Sequence, residues 1–184
     1  MKKILPIVIA VAAAISAYSE SILKNGEFEG LNNWSWDGKK PATLSSESPN
    51  GGKSCLLLSG DTAGKSGYVY QHVKLEPGKS YKLTLSVKCD GAAEKDFSIR
   101  CLLWKKNPDT GKSAPCGWLD IPAKSGVIDW IATGGTHDWK EFSKVIPGNA
   151  VPKVDSMMLF LYRKDNGKGK VFVDDLTLEE IPQE

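Results

Sequence analysis

Two adjacent carboxylates interrupt an apolar pattern near the C-terminal end. In "KVFVDDLTL" (170–178), Val171, Phe172 and Val173 read as strand, as do Leu176, Thr177 and Leu178, with Asp174 and Asp175 between them. Asp is poor strand material, and neighbouring strand residues point to opposite faces. Phe172, Asp174, Leu176 and Leu178 share a phase, which predicts Asp174 inward and Asp175 outward. An unpaired buried carboxylate is costly and tends to protonate, so Asp174 needs a cation or several N–H donors. Near residue 24, "KNGEFEG" puts Glu27 and Glu29 on one face and Phe28 on the other. If the first and last strands are neighbours, three carboxylates converge. Carboxylates with turn carbonyls are the oxygen donors that calcium takes. Capping of Asp174 by backbone N–H groups or a lysine, with both glutamates in water, is the alternative.

A second set of residues could bind sugars. Sugar C–H faces stack on aromatic rings, and sugar hydroxyls pair with planar polar groups. The chain has six tryptophans, Trp34, Trp36, Trp104, Trp118, Trp130 and Trp139, more than one core of this size requires. In "FSIRCLLW" (97–104), Phe97, Ile99, Cys101 and Leu103 take one face, while Arg100 and Trp104 leave it together. Trp34 and Trp139 read as packing residues. Gln71 alternates with Val69 and Val73, which leaves both a binding amide and a satisfied buried amide open.

The elements that must position these residues are strands. "YKLTLSVKC" (81–89) sends Tyr81, Leu83, Leu85, Val87 and Cys89 to one face and Lys82, Thr84, Ser86 and Lys88 to the other. This is the alternation of half-buried antiparallel strands. "SCLLLS", "YVYQHVKL", "EFSKVI" and "SMMLFLYR" supply further strands, separated by "SPNGGKS", "EPGKS", "IPGNAVP" and "KDNGKGK" turns. Many short strands with Gly/Pro turns predict an all-β sandwich of two antiparallel sheets. Segments 81–89 and 97–104 are expected to form a hairpin around Asp90–Asp96. Residues 105–137 are long for a connection and are expected to be a functional loop or to carry extra short strands.

Residues 1–19 begin with Lys2 and Lys3, followed by an apolar run from Ile4 to Ile15 and small residues. This is a secretory signal pattern, and the run is shorter than the ~20 residues of a membrane span. The expected organisation is a signal peptide over 1–19 and one domain over 20–184, with a secreted, periplasmic or cell-surface location. Without residues 1–19 the formal charge falls from +2 to 0, which argues against nucleic acid as a partner. Cys55, Cys89, Cys101 and Cys116 form an even set, which export permits to pair. The expected hairpin separates Cys89 from Cys101, which favours Cys101–Cys116 and Cys55–Cys89; buried thiols are the alternative. There is no CxxC, and the only histidines are His72 and His137, which makes a zinc site improbable.

The chain resembles the carbohydrate-binding modules of the CenC type (families 4, 9 and 22), galactose-binding-domain-like jelly rolls. The resemblance runs in order through "KNGEFEGLNNW", "GKSCLLLSG", "YVYQHVKLEPGKSYKLTLSVK", "GTHDWKEFSKVIP" and "VFVDDLTLEE". It implies a jelly-roll sandwich and a structural calcium tying the N-terminal segment to the last strand. The implied calcium ligands are Glu27, Glu29, the backbone oxygen of Lys53, and Asp174. It also implies a cleft lined by Arg100 of "SIRCL", Gln71 of "YQHV" and Trp36 just after the first tryptophan, with Trp118 and Trp130 able to extend it. "SMMLFLYR" departs from the family, offering Met and Phe where sugar-binding members can place amides.

The function this implies is non-catalytic recognition of a polysaccharide or oligosaccharide by a module standing alone in the chain, possessing no membrane span. The alternatives are a structural or interaction sandwich without glycan binding, and a jelly-roll glycoside hydrolase or lyase. Hydrolysis needs two carboxylates facing across a cleft, and nothing pairs Asp120, Asp129 or Asp138.

Overall fold

The computed structural model describes residues 20–36, 42–47, 49–59, 67–118, 131–148, 154–164 and 169–182. Its elements are β1 (Ala42–Ser45), β2 (Cys55–Ser59), β3 (Gly67–Lys74), β4 (Ser80–Lys106), β5 (Ser113–Trp118), β6 (Ile131–Ile146), β7 (Ser156–Arg163) and β8 (Lys170–Ile181). All pairings between them are antiparallel. The strand order is β1-β2-β8-β4-β7-β3, with β5 and β6 also on β4. The fold is the β-sandwich that the strand pattern predicts, with the jelly-roll form that the family resemblance implies. The expected signal peptide lies outside the described residues, and no helix among them is long and apolar enough to cross a membrane.

One strand builds both sheets. The N-terminal half of β4 pairs with β8 through Ser80–Asp90, and its C-terminal half pairs with β7 through Phe97–Trp104. The expected hairpin is therefore replaced by a single 27-residue strand. Between its halves the register shifts at Cys89, Ala92 and Phe97, and Gly91 (φ +66°) and Lys95 (φ +54°) take left-handed conformations. These irregularities bend the strand without reversing it, as bulges do at sheet corners. The faces read from alternation survive: Leu83, Leu85 and Val87 before the bend, and Ile99, Cys101 and Leu103 after it, are all buried. Residues 105–137 carry β5 and the start of β6, the extra strands anticipated for that stretch.

A buried ion pair pins the bend. Arg163, at the end of β7, is 1% exposed. Its Nε donates to Asp96 Oδ2 at 2.8 Å, Nη1 to the Leu58 carbonyl at 2.6 Å, and Nη2 to the Gly169 carbonyl at 3.0 Å. One guanidinium thus holds β7, the β4 bend, the end of β2 and the entry to β8. The chains run so close here that a Cβ on Gly169 would lie 2.3 Å from the Asp90 carbonyl oxygen.

The thiols correct the disulfide expectation. Cys55, Cys89 and Cys101 are buried and take part in no disulfide; the Cys116 side chain lies outside the described residues. Cys55 is on β2 and Cys89 on β4, with β8 between them. Two strand spacings, about 9–10 Å, exceed the ~7 Å that a disulfide spans. Burial pushes the Cys89 thiol up to about 11 and raises that of Cys101 as well.

Replacing Arg163 with Leu leaves Asp96 buried without its partner, which should cost about 3–5 kcal/mol. Thermal melts should show a fall of ~6–20 °C for a domain of this size. The double variant Arg163→Leu/Asp96→Leu should recover part of that loss. A single variant melting like the parent would refute a structural role for the pair.

Candidate functional site

Asp174 meets a different environment from the one alternation predicts. Ser86 pairs with Asp174 but Thr84 pairs with Thr177, so β8 carries an extra residue. Asp175 takes φ +49° there, a conformation that Asp tolerates better than most residues. The bulge changes the phase. Val171 and Val173 face the core before it, and Leu176 and Leu178 face the core after it. Asp174 is therefore on the outer face with Ser86, yet it is only 1% exposed. The 49–54 turn folds over it. Asp174 Oδ2 accepts from the backbone N of Asn50 at 2.9 Å and of Gly51 at 3.4 Å, and Oδ1 accepts from Asp175 N at 2.9 Å. Burial holds its carboxyl above the usual range, and the three N–H groups oppose that rise.

Glu29 addresses the same turn from the other side. Its Oε1 accepts from the backbone N of Lys53 and of Ser54, and Ser54 Oγ donates to the Phe28 carbonyl at 2.8 Å. Glu27 is exposed and Phe28 buried, as expected. The structure thus brings Glu29, Lys53 and Asp174 to one turn, where both carboxylates accept from backbone N–H groups. Among the described residues no three acidic, His or Cys side chains converge, so a cation here would rely on backbone oxygens. It would also compete with N–H groups for both carboxylates.

The second candidate is the outer face of β3, β7 and the C-terminal half of β4. Register places Tyr70, Phe160 and Arg100 in one row, with Tyr68 and Tyr162 beside it and His72, Met158 and Leu102 on the other side. The side chains in these rows other than exposed His72 are half-buried. Phe160 sits 5.4 Å from Tyr68 and 5.5 Å from Tyr70, centroid to centroid. The Arg100 guanidinium lies 3.5 Å over the Tyr162 ring, and His72 lies 5.9 Å from Trp104. The result is an aromatic sheet face carrying one planar cation.

The predicted binding residues divide over this frame. Arg100 and Trp104 are on the face. Trp36 follows Ser35, whose backbone bridges Tyr70, so it stands beside β3, half-buried against the core. Gln71 is a correction. It lies on the core side of β3, 5% exposed, with its amide bonded to the Lys24 backbone N and O at 2.9 Å each. It fastens the N-terminal segment and is turned away from Arg100. Trp130 and the Trp118 side chain lie outside the described residues. Trp34 is core, as expected, its Nε1 donating to the Asn25 carbonyl at 3.0 Å. Sequence reasoning missed Tyr68, Tyr70, His72, Phe160 and Tyr162. Their signal was present, since all five alternate with buried Val69, Gln71, Val73, Leu159 and Leu161.

Residues 20–112, just over half of the chain, match a family model described as a carbohydrate-binding domain, of the 4/9 type. The chain belongs to this family. Solved structures agree on the fold. A family 16 carbohydrate-binding module is 20% identical over 85% of this chain and 98% of its own, with a TM-score of 0.61. A xylan-binding family 22 module from Paenibacillus barcinonensis is 13% identical over 91% and 98%, with a TM-score of 0.60. A family 61 module solved with β-1,4-galactotriose is 18% identical over 89% and 100%, with a TM-score of 0.53. No curated protein sequence matches. This carbohydrate-binding domain is a non-catalytic binding domain.

Asp174 gives the domain a testable pH signature. A carboxyl raised on folding binds its proton more tightly in the folded state. Its contribution to stability therefore falls as pH rises from the ordinary carboxylate value through the raised one. In metal-free buffer, Asp174→Asn should flatten the stability profile just above the ordinary carboxylate range, measured by urea unfolding. A profile with the parent's slope would contradict this assignment.

Proposed function

We propose that the domain is secreted and recognises a β-linked polysaccharide on the aromatic face of β3, β7 and β4. The observation that carries this reading is the row Tyr70–Phe160–Arg100, with Tyr68 and Tyr162 beside it. The rings supply stacking surfaces for sugar C–H faces. Arg100, held over Tyr162, supplies a planar donor for hydroxyls. Trp104 extends the face at one side, next to His72. The basic and apolar start of the chain, residues 1–19, supports export.

A second reading keeps the sandwich and drops glycan binding. Met158 and Leu102 occupy the face where amides would help a sugar, and Gln71 is committed to Lys24. Binding of the mature domain to soluble xylan, β-glucan and β-1,4-galactan by affinity electrophoresis separates the readings. For a polymer that binds, Arg100→Ala should weaken binding about ten- to hundredfold, the loss of one charge-assisted hydrogen bond. Phe160→Ala and Tyr70→Ala should weaken it by a similar order. Variants that melt normally and bind like the parent would move the site elsewhere; a parent that binds no glycan would leave the sandwich reading.

Calcium belongs to the same proposal. Glu29, the Lys53 backbone oxygen and Asp174 would hold it, tying the N-terminal segment to β8; Glu27, expected as a further ligand, is exposed and does not converge with them. What supports this is that Glu29 and Asp174 both hold the 49–54 turn. A ligand that binds only the folded state stabilises it by mass action. Calcium should therefore raise the melting temperature, chelator should reverse this, and Asp174→Ala should abolish the response. Asp175→Ala should have a smaller effect. A melting curve indifferent to calcium and chelator at neutral pH would remove the ion.

A further inference from the structure

The aromatic face ends in a cavity of a different character. A pocket of about 500 Å³ is lined by His72, Lys74, Lys106, Ser113, Asp155 and Ser156, among others. His72 belongs to both places, since it lies 5.9 Å from Trp104 on the face and also lines the pocket. The volume is within the range of sites that take small ligands, roughly 300–1,000 Å³.

The lining is basic. Lys74 and Lys106 are both exposed on their strands, and Asp155 is the one carboxylate among the described residues of the lining. Arg100, two rows further along β4 and outside the lining, is the cation of the adjoining face. No acidic side chain lies in the rows of the face itself, from Tyr68 to Lys74 on β3 or from Ser98 to Trp104 on β4. The formal charge of residues 20–184 is 0, so this local excess of cations is not the composition of the whole domain. Asp155 adds a complementary demand. Its Oδ1 accepts from Ser156 Oγ at 2.8 Å, while its Oδ2 is buried with no hydrogen-bond partner among the described residues.

A unit that meets both conditions carries a negative group and neighbouring hydroxyls. We propose that the pocket receives a uronate of the bound polysaccharide. Its carboxylate faces Lys74 and Lys106, and a ring hydroxyl donates to Asp155. The glycan class is then an acidic one, and the adjoining aromatic face stacks the sugars that follow. This inference rests on the reading of the aromatic face as the glycan site.

The test uses glucuronoxylan and polygalacturonate, each beside its carboxyl-reduced form, with the mature domain and a Lys74→Gln/Lys106→Gln variant. Titration at about 50 mM salt should show at least one acidic polymer bound roughly tenfold or more tighter than its reduced form. That preference should shrink as salt rises, because exposed charges are screened. The double variant should melt like the parent, lose the preference, and keep the parent's affinity for the reduced polymer. Equal binding of acidic and reduced forms, or a preference that survives the double variant, overturns the inference while leaving the glycan site intact. No binding to any of the four polymers or to neutral β-glucan and galactan overturns the glycan site itself, and the inference with it.

Discussion

Both sheets of this domain depend on a single contact, the buried pair of Arg163 and Asp96. The strand β4 has to leave one sheet and enter the other without breaking its hydrogen-bonded ladder. Beside the bend lie the backbone carbonyls of Leu58 on β2 and of Gly169 at the entry to β8. Arg163 satisfies both, while its charge is balanced by Asp96 at 2.8 Å. Such a pair adds little net stability over apolar packing. Its value here is directional, because a planar guanidinium has a fixed set of donors. It holds β7 and the bend in one relative position.

That position determines the aromatic face. Arg163 closes β7 three residues after Phe160, and Asp96 opens the C-terminal half of β4 four residues before Arg100. With both ends clamped, the β4–β7 register is set from Phe97↔Arg163 onward, and Arg100 falls opposite Phe160. A slip of one residue would send Arg100 and the rings into the core. The buried ion pair and the solvent-facing rings are thus two consequences of one register. At the opposite corner the Asp175 bulge does the same for Asp174, taking it out of the core phase and placing it under the 49–54 turn.

Much of this was legible in the residues. Alternation assigned the buried faces of both halves of β4, the strand β7 and the solvent position of Arg100 and Trp104. What it could not see were the two irregularities. Residues 90–96, "DGAAEKD", have the composition of a hairpin turn, and only the long-range pairing to Arg163 shows that they bend rather than reverse. "VDD" gives no local sign of a bulge, so the phase of Asp174 was misassigned although its burial was foreseen. Gln71 was ambiguous for a related reason: alternation put it with the core, while the family pattern put it in the cleft, and the Lys24 backbone decided between them. The aromatic face is only partly legible from tryptophan positions, because its rings are mostly Tyr and Phe. Length and spacing fix which residues share a face, but not which faces remain open once a chain has closed on itself.

In the proposed function, the register set at Arg163 presents Tyr68, Tyr70, Arg100, Phe160 and Tyr162 as the glycan-contacting surface. Chemical-shift mapping of the mature domain tests it most directly, using a soluble β-1,4-xylo- or galacto-oligosaccharide that the domain binds. Perturbed resonances should cluster on these five residues and their neighbours in β3, β7 and the C-terminal half of β4. Perturbations confined to β1, β2 and β8, with this face unchanged at saturation, would contradict it.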